Sequence, residues 1–279
     1  RLDHNDFTGL EVQPNGRLMW TPNEKNSIWL AISRAVRTPS RAENDVLFNY
    51  GTQGKPPFLT VLQLNGSPHF NSEKLLAYEA GYRHQLAPQA SIDIAAFYND
   101  YSQLRDLTFD PRLGSFHAGI PSYFLLPIGL NNKASGQTQG VEVSVDWQPH
   151  EKWRLQGNYS FLTMQIHSES PFRSLDQTTG SEDKITPQHN MSFRSHYDLS
   201  EKLQFNLWMR YVSNISFYNI PDYVTMDAKL IFKPTKNVEL FLVGQNLFQE
   251  KHKEFVSDFI PSLPAYIPQG IYAGAQWRF

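Results

Sequence analysis

Two sets of side chains in this sequence could do chemistry, and both suit holding a ligand better than transforming one. The first is aromatic and basic and lies in stretches without regular periodicity: Phe48, Tyr50, Phe58, Phe116, His117, Tyr123, Phe124, Phe172, Arg173, Phe259 and Tyr266. Such rings stack on aromatic or cationic groups, and an arginine pairs with a carboxylate through two parallel hydrogen bonds. Loop aromatics also pack against one another, so only part of this set is expected to touch a ligand. The second set is charged and regularly placed. Arg34, Arg37, Glu79, Arg83, Arg154, Arg194 and Arg210, with Glu142, Asp146 and Asp227, stand in segments where polar and apolar residues alternate. Opposite charges on neighbouring segments can pair across such a face or hold another part of the protein, and an ordinary solvated face is the alternative.

Catalytic patterns are missing. The sequence has no Gly-x-Ser-x-Gly, no His-Glu-x-x-His and no phosphate-cradling glycine loop, so no enzyme is expected. With no cysteine in 279 residues, disulfides, thiolate metal sites and cysteine nucleophiles are excluded. His167, His189 and His196 lack metal-ligand spacing on any one element, so neither a metal nor another cofactor is expected.

The elements that must position these residues read as strands. The terminal stretch shows it most clearly: Ile271, Ala273, Ala275, Trp277 and Phe279 share one parity, and Tyr272, Gly274, Gln276 and Arg278 the other. The same twofold pattern predicts strands through Val12 to Trp20, Ile28 to Val36, Leu76 to Arg83, Ile92 to Asn99, Val141 to Gln148, Trp153 to Phe161, Asn190 to Asp198, Leu203 to Tyr211, Val224 to Phe232 and Val238 to Phe248. Both parities of the segment from Val238 are apolar, which leaves its faces unassigned. Arg1 to His4 reads as a strand stump before a turn at Asn5 to Gly9. Short turns alternate with long irregular stretches, at Arg41 to Asn71, Arg105 to Lys133, about His167 to Pro187 and about Gln249 to Ile267. No helical periodicity of useful length intervenes.

Sorting of turns by length, with strands of about 10 residues, is the pattern of an antiparallel transmembrane β-barrel with tight turns on one rim and long loops on the other. A soluble sandwich or propeller also alternates, but its inward face is the apolar one. The composition agrees with a barrel. Hydrophobic residues make up 40% and aromatic residues 14%, and the mean hydropathy of −0.47 reflects the polar half of each strand. No apolar run reaches the roughly 18 residues of a spanning helix. A net charge of −2 argues against nucleic acid as a partner. About eleven strands and a stump make an odd count beginning in a cut strand, whereas single-chain bacterial barrels have even numbers, so the sequence predicts an incomplete barrel.

Ser33-Arg34-Ala35-Val36-Arg37-Thr38-Pro39-Ser40, Ala77-Tyr78-Glu79-Ala80-Gly81-Tyr82-Arg83, Gln245-Asn246-Leu247-Phe248 and the terminal Trp277-Arg278-Phe279 resemble, in this order and spacing, the carboxy-terminal half of a TonB-dependent outer-membrane receptor barrel. Gln249 departs from the aspartate that often follows Asn-Leu-Phe in that family, and Gln269 from a common basic residue. The resemblance implies residues 1–279 as about half of a roughly 22-stranded barrel in the Gram-negative outer membrane, without the plug domain or the amino-terminal strands. It further implies import of a scarce nutrient, a ferric siderophore above others, bound by loops and plug and drawn in by TonB. Its expected partners are outer-membrane lipid, the plug, TonB and the barrel-assembly machinery, which in that family reads the carboxy-terminal aromatic. Trp277 and Phe279 are therefore expected to form the assembly signal, and the charged set to face the lumen or the plug. A passive porin and a soluble β-rich binding module are the alternatives.

Overall fold

The computed structural model describes residues 1–56, 59–109, 111–168, 182–256 and 263–279. Among these, eleven strands follow one another in a single antiparallel sheet. They are β1 (Asn15–Asn23), β2 (Asn26–Arg37), β3 (Glu73–Ala87), β4 (Ala90–Phe109), β5 (Tyr123–His150), β6 (Trp153–His167), β7 (His189–Ser200), β8 (Leu203–Val212), β9 (Tyr223–Thr235), β10 (Val238–Gln245) and β11 (Gly270–Trp277). Every neighbour in sequence is a neighbour in space. β1 and β11 are the two edges and do not pair with each other, so the sheet is not closed.

Turn length sorts as the sequence predicts. The connections after β1, β3, β5, β7 and β9 contain two residues each, and those after β2, β4, β6, β8 and β10 are long. The register then carries one parity across the whole sheet. Leu30 pairs with Leu18 and Ala80, Ile94 with Tyr82 and Val143, Tyr159 with Val143 and Met191, Leu207 with Ser195 and Ala228, and Leu242 with Leu230 and Ala273. One side is thus apolar from edge to edge, and it is not packed into a core: Leu18 is 63% and Met191 48% accessible. An exposed apolar surface of this extent is foreign to a soluble monomer. β10 joins the same scheme, with Val238, Leu240 and Leu242 on the apolar side and Glu239, Phe241 and Val243 opposite Gln276, Gly274 and Tyr272.

Several boundaries differ from the sequence expectation. The strand expected from Val12 to Trp20 is divided: Gly9–Val12 pairs with Leu2–Asn5 in a separate hairpin, and β1 starts only at Asn15. Pro14, which has no amide hydrogen, marks the break. The hairpin turn is stapled by Asn5, whose side-chain oxygen accepts from the amides of Phe7 and Thr8 at 3.0 and 2.9 Å.

The stretches expected to be irregular hold structure. Arg41 to Asn71 contains helix α1 (Arg41–Asp45) and a hairpin of Leu47–Gln53 with Leu59–Asn65. Arg105 to Lys133 contains the ends of β4 and β5, which run on to Phe109 and start at Tyr123. Register shifts between Asn131 and Gly136 interrupt the pairing of β5 with β4, and this hides the alternation. Gln249 to Ile267 contains the strands Lys251–Phe255 and Ala265–Pro268. Half of the buried apolar residues lie in these stretches, among them Val61 and Leu62 on Leu59–Asn65 and Ile128 on the start of β5 that pairs with it.

Candidate functional site

On the polar side, the twofold period of the strands brings the charged set together. Arg83 on β3 meets Asp93 across the β3–β4 hairpin, with its Nε 2.7 Å from the carboxylate. Arg154 on β6 donates through Nε to both oxygens of Asp146 on β5 at 3.1 Å and through Nη2 to one of them, and Gln156 adds a third donor at 2.9 Å. Glu79 shares this side, in register with Ala31 and Phe97. Trp208 lies in register between Arg194 and Asp227. The guanidiniums of Arg194 and Arg210 both sit over its ring, 4.5 and 4.6 Å from the centroid. Asp227 is 4.0 Å from Arg210 and accepts the backbone N–H of Asn246 at 2.9 Å. Sequence reasoning missed Trp208, although its parity, shared with Arg194 and Arg210 rather than with Leu207 and Met209, was a usable signal.

Arg34 and Arg37 separate. Arg37 has the parity of the polar side, whereas Arg34 falls with Leu30 and Ile32 on the apolar one, so the expectation that both face the lumen is corrected for Arg34. Two strand residues three positions apart must point oppositely. Arg34 lies at the end of that side, 3.9 Å from the buried Glu11 and hydrogen-bonded to the Val12 carbonyl. Glu11 is held by Ser72 Oγ at 2.6 Å and Thr8 Oγ1 at 2.9 Å.

Arg37 anchors the first long loop. Its Nη1 and Nη2 donate to the two oxygens of Glu43 at 3.0 and 2.6 Å, and its Nε donates to Glu73 at 2.7 Å. Ser40 and Glu43 form a capping box at the start of α1, the Ser40 amide donating to Glu43 Oε2 at 2.9 Å. Burial alone would raise the Glu43 carboxyl, but the hydrogen bonds from Arg37 and from the Ser40 amide outweigh it and hold the group at about 2. Sequence reasoning missed this helix start, for which the Ser-x-x-Glu spacing was a usable signal. The approach of Glu73 from the next strand left no such signal.

The loop aromatics divide into a cluster, an outlier and residues outside the described ones. Ser115–His117 pairs with the start of β5 so that Phe116 opposes Phe124 and His117 opposes Tyr123. The His117 and Tyr123 rings stack at 4.9 Å and 5°. Leu59–Asn65 pairs in parallel with the same stretch of β5 and carries Leu47–Gln53, with Phe48 and Tyr50, on its far side. Six candidates thus share the start of β5 and the short strands that branch from it in the same sheet. Tyr266 is apart, in the hairpin before β11, beneath Lys251 Nζ at 5.4 Å. Phe58, Phe172, Arg173 and Phe259 lie outside the described residues. Trp277 ends β11 in register with Val238, and Phe279 extends beyond it, fully exposed.

A meandering sheet that is apolar on one side, charged on the other, tight-turned on one rim and long-looped on the other defines a β-barrel wall of the outer-membrane kind. A family model for the TonB dependent receptor-like β-barrel matches residues 1–247, and the chain belongs to that family. Among solved structures, a siderophore receptor PirA from Acinetobacter baumannii superposes with a TM-score of 0.76 at 15% identity, covering 100% of this chain and 42% of that one. A ferric enterobactin receptor, PfeA, from Pseudomonas aeruginosa gives 0.75 at 15%, with 100% and 41% covered. The receptor in an FpvAI–pyocin S2 complex gives 0.66 at 12%, with 96% and 32% covered. The chain therefore spans less than half the length of these receptors, and at such identities the likeness is one of fold.

Proposed function

We propose that this chain is wall and loops of an outer-membrane receptor that binds a ferric siderophore from outside and imports it by TonB-coupled transport. The observation that carries the reading is the apolar side, unbroken across eleven strands and left exposed. A bilayer is the solvent for such a surface, with the polar side turned to the lumen, where Arg37, Glu79, Arg83, Arg154, Arg194 and Arg210 meet the plug or a passing ligand. Arg34 sits at the loop end of the lipid side as a hairpin anchor.

The loop rim then faces outward. β5 is 28 residues long and at about 3.3 Å per residue reaches well past the roughly 25 Å apolar band. That length lifts Phe48, Tyr50, Phe116, His117, Tyr123 and Phe124 clear of the membrane, where rings can stack on an aromatic siderophore. Tyr266 and the residues Phe58, Phe172, Arg173 and Phe259 are further loop candidates. Trp277 and Phe279 occupy the tight-turn rim, where the barrel-assembly machinery reads the last strand. The test is uptake of labelled iron, presented as a ferric siderophore, by cells with and without the receptor, before and after collapse of the proton gradient. Receptor-dependent uptake that stops on collapse supports the proposal. Entry of small solutes that needs no gradient makes the protein a porin.

A further inference from the structure

The tight-turn rim repeats one two-residue sequence. Glu24-Lys25 joins β1 to β2, Glu151-Lys152 joins β5 to β6 and Glu201-Lys202 joins β7 to β8. The backbone of each lysine is fixed in the same way. Its amide donates to the side chain two residues earlier, Asn23 Oδ1 at 3.1 Å, His150 Nδ1 at 3.3 Å and Ser200 Oγ at 3.3 Å. Its carbonyl accepts, at 2.8 Å, from the next strand along the rim, through the amides of Gln85, Asp198 and Lys233. The charged side chains have no such task. All six are exposed, and none has a hydrogen bond or ion pair among the described residues. Turn geometry does not require them either, since Pro88-Gln89 and Lys236-Asn237 make turns of the same length.

The place of these turns decides what they meet. Lys152 directly precedes Trp153, and Lys202 directly precedes Leu203, which with their partners Tyr197 and Phe232 stand at the turn end of the apolar side. The charges therefore lie at the level where hydrocarbon gives way to headgroups, and a lysine stem runs along apolar surface to reach a phosphate. Each turn sums to zero charge, so an anionic lipid loses at the glutamate what it gains at the lysine. A headgroup carrying both signs gains at each. Phosphate suits the lysine, and a primary ammonium has N–H groups to donate to the glutamate, whereas a quaternary ammonium has none.

We propose that Glu24-Lys25, Glu151-Lys152 and Glu201-Lys202 bind the headgroups of a zwitterionic phospholipid with a primary amine, lysine on phosphate and glutamate on ammonium. The proposal rests on the receptor reading, which puts the apolar side in the bilayer and this rim at the periplasmic leaflet. β5–β6 and β7–β8 are neighbouring hairpins, so their turns lie about 10 Å apart and each takes its own headgroup.

The experiment uses the full-length receptor in phosphatidylcholine vesicles, with heat-modifiable mobility as the measure of folded barrel. Brominated phosphatidylethanolamine or brominated phosphatidylglycerol is the probe. The quenching that Trp153→Phe removes reads occupancy beside Glu151-Lys152. Phosphatidylethanolamine is expected to be favoured over phosphatidylcholine by about twofold or more, and phosphatidylglycerol not to be favoured. Glu151→Gln should abolish the first preference and create one for phosphatidylglycerol, because it leaves the lysine uncompensated; Lys152→Gln should disfavour phosphatidylglycerol. A folded barrel with no preference for phosphatidylethanolamine, or with one that survives Glu151→Gln, overturns the site and leaves the receptor reading standing. So does a preference of the unsubstituted protein for phosphatidylglycerol, which makes the lysine act alone. Absence of folded barrel in the unsubstituted protein overturns both.

Discussion

Replacing Arg37 by alanine is expected to release the first long loop while leaving the barrel strands intact. Glu43 is almost fully buried, with 5% of its side chain accessible. In the parent, Arg37 gives it two hydrogen bonds, and the substitution leaves it the Ser40 cap and the Arg105 guanidinium at 3.9 Å. The carboxyl is held at about 2 against an ordinary 4.5. At 1.36 kcal/mol per unit, that corresponds to about 3 kcal/mol for the whole environment of the group. Arg37 is itself about half exposed, so part of its share is screened, and about 1.5–3 kcal/mol is expected from its loss. The folded pKa lies below the unfolded one, so the stabilisation is complete above about pH 4.5 and drains away as pH falls through about 2. The amides of Gly66 and Ser67, which donate to Val46 and Glu43 at 2.7 and 2.8 Å, report on closure of the loop over α1. Hydrogen exchange at these amides at neutral pH should accelerate roughly ten- to hundredfold in Arg37→Ala. Adding Glu43→Gln should recover part of the protection, since a neutral amide is less costly to bury than a carboxylate that has lost its two-pronged partner. Exchange of Arg37→Ala within about twofold of the parent would refute the clamp.

Three further outcomes follow from the same structure. Leu207→Arg, on the apolar side, should lower barrel stability by about 2–4 kcal/mol, whereas Ser144→Arg, on the polar side, should be tolerated; the fraction of heat-modifiable barrel after urea titration ranks the two. Gly81→Ala places a methyl 2.2 Å from the Trp29 ring, while at Gly157 it meets nothing within 4 Å, so Gly81→Ala alone should lose about 1–3 kcal/mol in thermal unfolding. Deleting Phe279 should sharply reduce folded barrel in outer-membrane fractions and leave ligand binding per barrel unchanged; normal assembly with impaired binding is the contrary result.

The sequence alone determined the strands, their order and the separation of their faces. Alternation is a local property, since successive side chains of an extended chain point to opposite sides whatever lies next to them. That is why eleven strands, the tight turns and the opposed sides of β6 to β9 were legible, and why the parity of Arg34 and Arg37 already held the information that they diverge. β10 was not legible, because both of its parities are apolar; pairing with β9 and β11 assigned them.

Only the tertiary structure decided which distant residues meet. Arg194 and Arg210 converge on Trp208 because the β7–β8 register pairs Trp208 with Arg194 and stands Arg210 two residues along. Glu73 reaches Arg37 because β3 returns beside β2 after a loop of more than thirty residues. The aromatic cluster of β5 stayed hidden behind the shifted register at Asn131 to Gly136, which breaks the period that a sequence pattern depends on. Periodicity is written residue by residue, whereas register and bulges follow from hydrogen bonding between whole strands, so a face could be read from the chain and a contact could not.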